Sequence, residues 1–189
     1  MAQKTSLMRA KTIIYKCFVY AVMFFILSTM QVTFFSKINV LNATPDLMLG
    51  AVLVIALKDD IHVSSICGII SGFFYCVMGG FSYPFYMIFS FLCGYTLWIV
   101  SDRLFGKNYL SYLALALIAY GLKALFNILE ISLFAQSFNL IETFSKVVLP
   151  EFISSMAFCT VSYIIYSAIS RLMNKNSKSR KDGLKNERF

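Results

Sequence analysis

With 189 residues, 59% of them hydrophobic, 14% charged and a mean hydropathy of +0.73, the chain reads as an all-α integral membrane protein. The longest polar piece, Asn174 to Phe189, is too short for a separate soluble domain. The net charge of +8 needs no nucleic-acid partner, because its basic residues are placed as topology determinants around apolar segments.

The N-terminus carries Lys4, Arg9, Lys11 and Lys16 and no acid. The first apolar segment runs from about Cys17 to Phe35. It is longer than the core of a signal peptide and no small-x-small cleavage site follows it, so it reads as an uncleaved helix. A loop over Ser36 to Ala43 leads to Thr44-Pro45-Asp46. Thr44 suits an N-cap, Pro45 the first helical position, and Asp46 the positive end of a helix dipole. Leu47 to Leu57 are all apolar or glycine, and the run stops at Lys58-Asp59-Asp60. From Pro45 to Asp60 is about 24 Å of helix at roughly 1.5 Å per residue, short of a hydrocarbon core of about 30 Å. Such a segment crosses only if its neighbours shield its ends.

Further segments follow at 63–78, 83–100, 109–134 and 147–172, giving six transmembrane spans in one domain over 1–172 and a basic cytoplasmic tail at 173–189. The fifth, about 39 Å long at roughly 1.5 Å per residue, must tilt or protrude. The charge partition orients the bundle. With six spans, one side holds Lys4, Arg9, Lys11, Lys16, Lys58, Arg103, Lys107 and the tail from Arg171 to Arg188. The other holds only Lys37 and Lys146. Both termini are therefore expected in the cytoplasm, and the basic tail faces anionic inner-leaflet lipids or simply water.

The third span places a small residue at every fourth position: Ser64, Gly68, Gly72, Cys76, Gly80. Such a ridge lets another helix approach closely, either within the bundle or from a partner. Gly79-Gly80 before Phe81-Ser82-Tyr83-Pro84 reads as a tight turn. Cys17, Cys67, Cys76, Cys93 and Cys159 all fall in spans without a Cys-x-x-Cys pair and read as small apolar residues.

Ionisable groups in or near the spans need explanation, since a charge in hydrocarbon costs about 2.5–3.5 kcal/mol even on the lenient insertion scale. Lys123, Asn127 and Glu130 share one helix face. Lys123 lies about 21 Å along its helix from the cytoplasmic end. This face is either a neutralised polar surface inside the bundle or part of a binding cavity or docking site. Leu149-Pro150-Glu151 repeats the proline-then-acid start of Pro45-Asp46. The repeat is a helix-start signature, or else the two acids line one cavity. No catalytic constellation accompanies these groups. His62, beside Asp59 and Asp60, reads as a residue of a short solvated loop, and there is no phosphate loop, Gly-x-Ser-x-Gly elbow or His-Glu-x-x-His. No enzyme activity, metal or cofactor is expected.

Taken together, Pro45-Asp46-Leu47 with its apolar run and Lys58, Gly68-x-x-x-Gly72, Gly79-Gly80, Gly94-Tyr95 and Leu149-Pro150-Glu151 resemble the rod-shape-determining protein MreD family over roughly Val32 to Leu172. The chain departs from that pattern at Cys76, where the family often has an acid. It departs again at Trp98, in place of a second glycine, and at Ser155, in place of an asparagine. The resemblance implies a fold similar to the substrate-binding subunits of energy-coupling-factor vitamin transporters. It also implies a non-enzymatic role in the bacterial cytoplasmic membrane, in the elongation (rod) complex that directs lateral peptidoglycan synthesis and cell shape. The implied direct partner is the bitopic MreC. The indirect ones are MreB, RodA and a class B penicillin-binding protein. On that reading Pro45, Asp46, Gly68, Gly72, Gly94, Pro150 and Glu151 serve partner binding or helix packing. A vitamin transporter subunit is the alternative. Such subunits commonly carry an Ala-x-x-x-Ala docking motif in the first span, where this chain has only Ala21.

Overall fold

The computed structural model describes residues 2–35, 44–78, 85–104, 108–134 and 140–186. Among these the chain is helical throughout, with no strand. Helix α1 spans Ala2–Met30 and continues as a π-helical turn over Gln31–Phe35. Helix α2 is Leu47–Lys58, α3 Ile61–Met78, α4 Tyr86–Leu104 and α5 Tyr109–Phe134. A four-residue α6, Leu140–Thr143, passes through a π-helical turn at Phe144–Val148 into α7, Leu149–Asn186. Four segments are long and apolar enough to cross a membrane: Ala10–Thr33, Ile61–Met78, Tyr109–Leu133 and Phe144–Leu172.

Helix α2 is the shortest of the long elements, with 12 residues, about 18 Å at roughly 1.5 Å per residue. Leu47 through Leu57 are all buried. A helix apolar on every side has no solvent face to present, and here it fills the middle of the bundle. Helices α7, α4 and α3 pack on it most heavily, with α5 and α1 completing the wrap. The expected shielding of this short segment is thus supplied along its whole length.

Its boundaries differ from those expected. Thr44 is exposed, and Pro45 and Asp46 lie outside the helix. Asp46, at φ −89° and ψ 95°, is the N-cap, and its carboxylate accepts from the Leu49 backbone N–H at 3.1 Å. The proline therefore precedes the cap. An acid makes the better cap because it satisfies an orphan donor and meets the dipole together. At the other end Asp59 closes the helix, donating its N–H to the Ile55 carbonyl at 2.9 Å. Helix α3 restarts at Ile61, so His62, expected in a loop, stands exposed in the first turn of α3. Helix α4 begins at Tyr86. The stretch expected as a tail continues α7 as helix to Asn186, with no proline to stop it. The predicted loop over Ser36 to Ala43, the Gly79-Gly80 turn and the last residue of the small-residue ridge lie outside the described residues.

The ridge itself is used within the chain. Helices α3 and α4 form the most extensive contact of the fold. A Cβ placed on Gly68 would stand 2.6 Å from the Ser90 carbonyl oxygen, one on Gly72 2.5 Å from the Met87 Cα, and one on Gly94 2.6 Å from the Ser64 carbonyl oxygen. Ser64 donates from Oγ to the Gly94 carbonyl at 2.7 Å, and the Ser71 and Ser90 hydroxyls are 3.0 Å apart. In lipid, apolar surface gives helices no drive toward each other, so this close approach and its hydrogen bonds hold the pair. All five cysteines are free thiols, four buried and Cys17 partly so.

Gly68→Leu and Gly72→Leu should each lower the thermal stability of the purified protein, since overpacking costs about 1–3 kcal/mol and here the obstructing atoms are backbone. Gly121 sits in α5, where an added Cβ would meet nothing within 4 Å. Gly121→Ala should therefore leave stability unchanged or raise it by up to about 1 kcal/mol. Differential scanning fluorimetry in mild detergent reads both. Equal melting temperatures for all three variants would contradict the assignment of the seam.

Candidate functional site

The starts of α2 and α7 meet at one end of the bundle, and α5 joins them. Each helix start contributes an acid, Asp46 as the N-cap of α2 and Glu151 in the first turn of α7. Lys123, in the body of α5, reaches between them. Its ammonium lies 2.6 Å from Asp46 Oδ2 and 2.6 Å from Glu151 Oε1. Asp46 is fully buried and Lys123 only 3% exposed, so neither charge relies on water.

The remaining bonds complete the arrangement. The Tyr86 hydroxyl donates to Asp46 Oδ2, and the Asn127 amide donates to Glu151 Oε2 at 2.8 Å. With the Leu49 N–H on Asp46 Oδ1, every oxygen of both carboxylates accepts at least one hydrogen bond. The Asp46 backbone is tied as well: its N–H donates to Ser155 Oγ at 2.9 Å, and its carbonyl accepts from the Tyr120 hydroxyl at 2.7 Å. Tyr75 and Tyr86 stack with centroids 3.9 Å apart, and the Lys123 ammonium lies 5.0 and 5.1 Å from those two ring centroids. A desolvated cation over an aromatic face gains about 2 kcal/mol or more, which offsets part of its burial.

A crevice beside the cluster is lined by Tyr120, Lys123, Asn127, Glu151, Phe152 and Ser155, among others, and has room for about one water. Its polar lining groups are already engaged with one another. The arrangement therefore acts as a clamp that fixes two helix starts to α5, with its polar atoms turned inward.

A second charged cluster holds the opposite end of α2. Asp59 takes Lys16 as its ion-pair partner and accepts from the Tyr20 hydroxyl at 2.5 Å, while its carbonyl accepts from Trp98 Nε1 at 2.9 Å. Next to it Lys58 donates to Ser167 Oγ at 2.8 Å and lies 5.1 Å from the Tyr163 ring centroid.

Of the candidate residues, the structure brings Asp46, Lys123, Asn127 and Glu151 into one cluster, with Pro45 and Pro150 at its two helix starts. It brings Gly68, Gly72 and Gly94 into the α3–α4 seam instead. Glu130 shares the α5 face but stands apart. It is 5% exposed, and its Oε1 has no hydrogen-bond partner among the described residues. Four members of the cluster escape sequence reasoning. Tyr120 lies three residues before Lys123, and Ser155 four after Glu151, so helical spacing could have found both. Tyr75 and Tyr86 carry no such local signal, since only the tertiary packing of α3 and α4 delivers them. Among the described residues, no group of three or more histidine, cysteine, aspartate or glutamate side chains is placed to hold a metal ion.

Compared with known proteins, the chain matches no family model, no curated protein and no solved structure.

Removing Lys123 strands the fully buried carboxylate of Asp46 beside the part-buried one of Glu151, and breaking a buried pair from one side costs about 3–5 kcal/mol. Lys123→Met should therefore melt well below the wild type in detergent. Adding Asp46→Asn and Glu151→Gln to that variant should restore part of the loss, because neutral amides need no cation. A Lys123→Met protein as stable as the wild type would show that the ammonium is not needed to hold the helix starts.

Proposed function

We propose that this protein is a non-enzymatic, MreD-like component of the bacterial elongation complex, binding a single-span MreC-like partner in the cytoplasmic membrane. Six spans with both termini in the cytoplasm belong to the same reading. The short α2 and the 19-residue α4 would then cross as part of the bundle, beside the four segments that are long and apolar enough on their own. The charge partition of the sequence supports this topology, because with six spans most of the Lys and Arg residues fall in segments on one side.

The observation that carries the reading is where the motif residues lie. Asp46 and Glu151, from two motifs more than 100 residues apart in the chain, share one lysine, and Gly68, Gly72 and Gly94 share one helix contact. The residues on which the resemblance rests are therefore those that set this architecture. The crevice beside the clamp favours a partner-binding role over vitamin uptake. A water-soluble vitamin needs a cavity of roughly several hundred Å³ with free convergent polar groups. Here the crevice has room for about one water, and the carboxylate that lines it, Glu151, is already bonded.

Co-expression with the MreC-like protein of the same cell, followed by purification in mild detergent, should recover a complex. A thermal-shift screen of vitamins should show no stabilisation. Reporter fusions at Phe189 should be active only as cytoplasmic proteins. Absence of a complex together with stabilisation by one vitamin would move the assignment to the transporter subunit. A Phe189 fusion active outside the cytoplasm would overturn the topology.

A further inference from the structure

Helices α1 and α3 pack side by side and run in the same direction. Lys16 and Tyr20 of α1 both reach Asp59, two residues before α3 begins. Further along both helices Phe25 meets Phe74 edge to face, with ring centroids 5.9 Å apart. These two contacts fix the register. Two helical turns are about seven residues, after which a helix presents the same face again. Two turns before Phe74 stands Cys67, and about two turns before Phe25 stands Cys17. The two thiols meet there and share a side-chain hydrogen bond. The remaining cysteines belong to other parts of the bundle. Cys76 is at the far end of α3, Cys93 is in α4, and Cys159 is in α7, where its Sγ donates to the Met156 carbonyl at 2.9 Å.

The pair is asymmetric. Cys17 is partly exposed and Cys67 fully buried. Ile14 and Phe18, on either side of Cys17 in α1, are each 68% exposed. This stretch of α1 is therefore an outer wall of the bundle, within a segment apolar enough to cross a membrane. A small apolar oxidant in the bilayer meets Cys17 directly, and Cys67 only by way of Cys17. A reachable thiol backed by a second one that resolves it is the arrangement that makes oxidation reversible.

We infer that Cys17 and Cys67 form a reversible disulfide that ties α1 to α3 when the bilayer carries hydroperoxides. The Cys17 sulfur takes one oxygen of the hydroperoxide, the O–O bond breaks, and the remainder leaves as an alcohol. Cys17 is then a sulfenic acid. The Cys67 sulfur attacks the Cys17 sulfur, the S–S bond forms, and the hydroxyl leaves with the Cys67 proton as water. Two thiols and one hydroperoxide thus give one disulfide, one alcohol and one water, with two electrons passing from the sulfurs to the O–O bond. Exchange with a reducing thiol restores the pair. The bond sits next to the Lys16–Asp59 pair that holds one end of α2, so oxidation fixes α1 at that clamp. This chemistry is independent of the proposed partner.

The test uses the full-length protein, reduced, placed in liposomes and treated with an equimolar organic hydroperoxide. The protein is then denatured in N-ethylmaleimide and read by mass spectrometry. The reduced protein should take five maleimides, one for each cysteine. The oxidised protein should take two fewer, with the peptides of Cys17 and Cys67 joined, and dithiothreitol should return it to five. Cys67→Ala should leave Cys17 as a sulfenic acid that dimedone captures. Cys17→Ala should keep Cys67 reduced under the same treatment. Five maleimides on the treated wild type, or a disulfide joining any other pair, would overturn the assignment. Oxidation of Cys67 in Cys17→Ala as fast as in the wild type would overturn the order of the two thiols and the inference with it.

Discussion

One buried ammonium, that of Lys123, holds the architecture at its most demanding point. Two helices begin beside each other inside the bundle, and each begins with an acid. The dipole of α2 presents a positive end that favours Asp46, whereas the helix of Glu151 runs on from the π-helical turn before it, and two carboxylates this close repel each other. Lys123 resolves the conflict by lying 2.6 Å from both. The Tyr75 and Tyr86 rings, Asn127 and Tyr120 complete its surroundings. A buried pair of this kind gives little net stability over an apolar replacement, but losing one partner is severe. Its effect is on specificity: few arrangements of these helices satisfy all the groups together.

The same logic explains how a 12-residue helix occupies the centre of a membrane protein. Helix α2 cannot reach from one interface to the other, so its terminal charges are met by protein. Asp46 is met by Lys123 and Tyr86, and Asp59 by Lys16, Tyr20 and Trp98. Between the two ends there is no polar side chain to position it. Placement along the bundle axis therefore falls to the two clamps, and placement across it to close packing. Gly50 illustrates the packing. A Cβ there would stand 3.0 Å from the Tyr120 hydroxyl and 3.2 Å from Ser162 Oγ, so the glycine lets α5 and α7 come close enough for Tyr120 to reach the Asp46 carbonyl.

Much of this is legible in the sequence. The apolar segments, the shortness of α2 and the shared face of Lys123 and Asn127 all follow from spacing and composition, whereas Pro150 and Glu151, expected to open a helix, stand in one that already runs from Leu140 through a π-helical turn. The cap sits two residues later than expected, because Thr44, Pro45 and Asp46 all suit a helix start and only tertiary bonds distinguish them. The burial of Asp59 has no sequence signal, since a charged run after an apolar segment ordinarily marks a solvated loop. Nor does the sequence say whether the Gly68 and Gly72 ridge faces a neighbour or a partner, because both need the same small residues. The answer lies in the matching Gly94 and Ser90 of α4, which meet the ridge from the other side.

The architecture depends on α2 being enclosed by protein on every side and contacting lipid nowhere. A membrane-soluble diazirine, activated in liposomes holding the purified protein and mapped by mass spectrometry, measures this directly without altering a residue. Label is expected on the exposed apolar faces of α1, α4, α5 and α7, recurring at the helical period, and nowhere across Leu47 to Leu57. Label along one face of α2 at that same period would place the helix at the lipid boundary and contradict its enclosure.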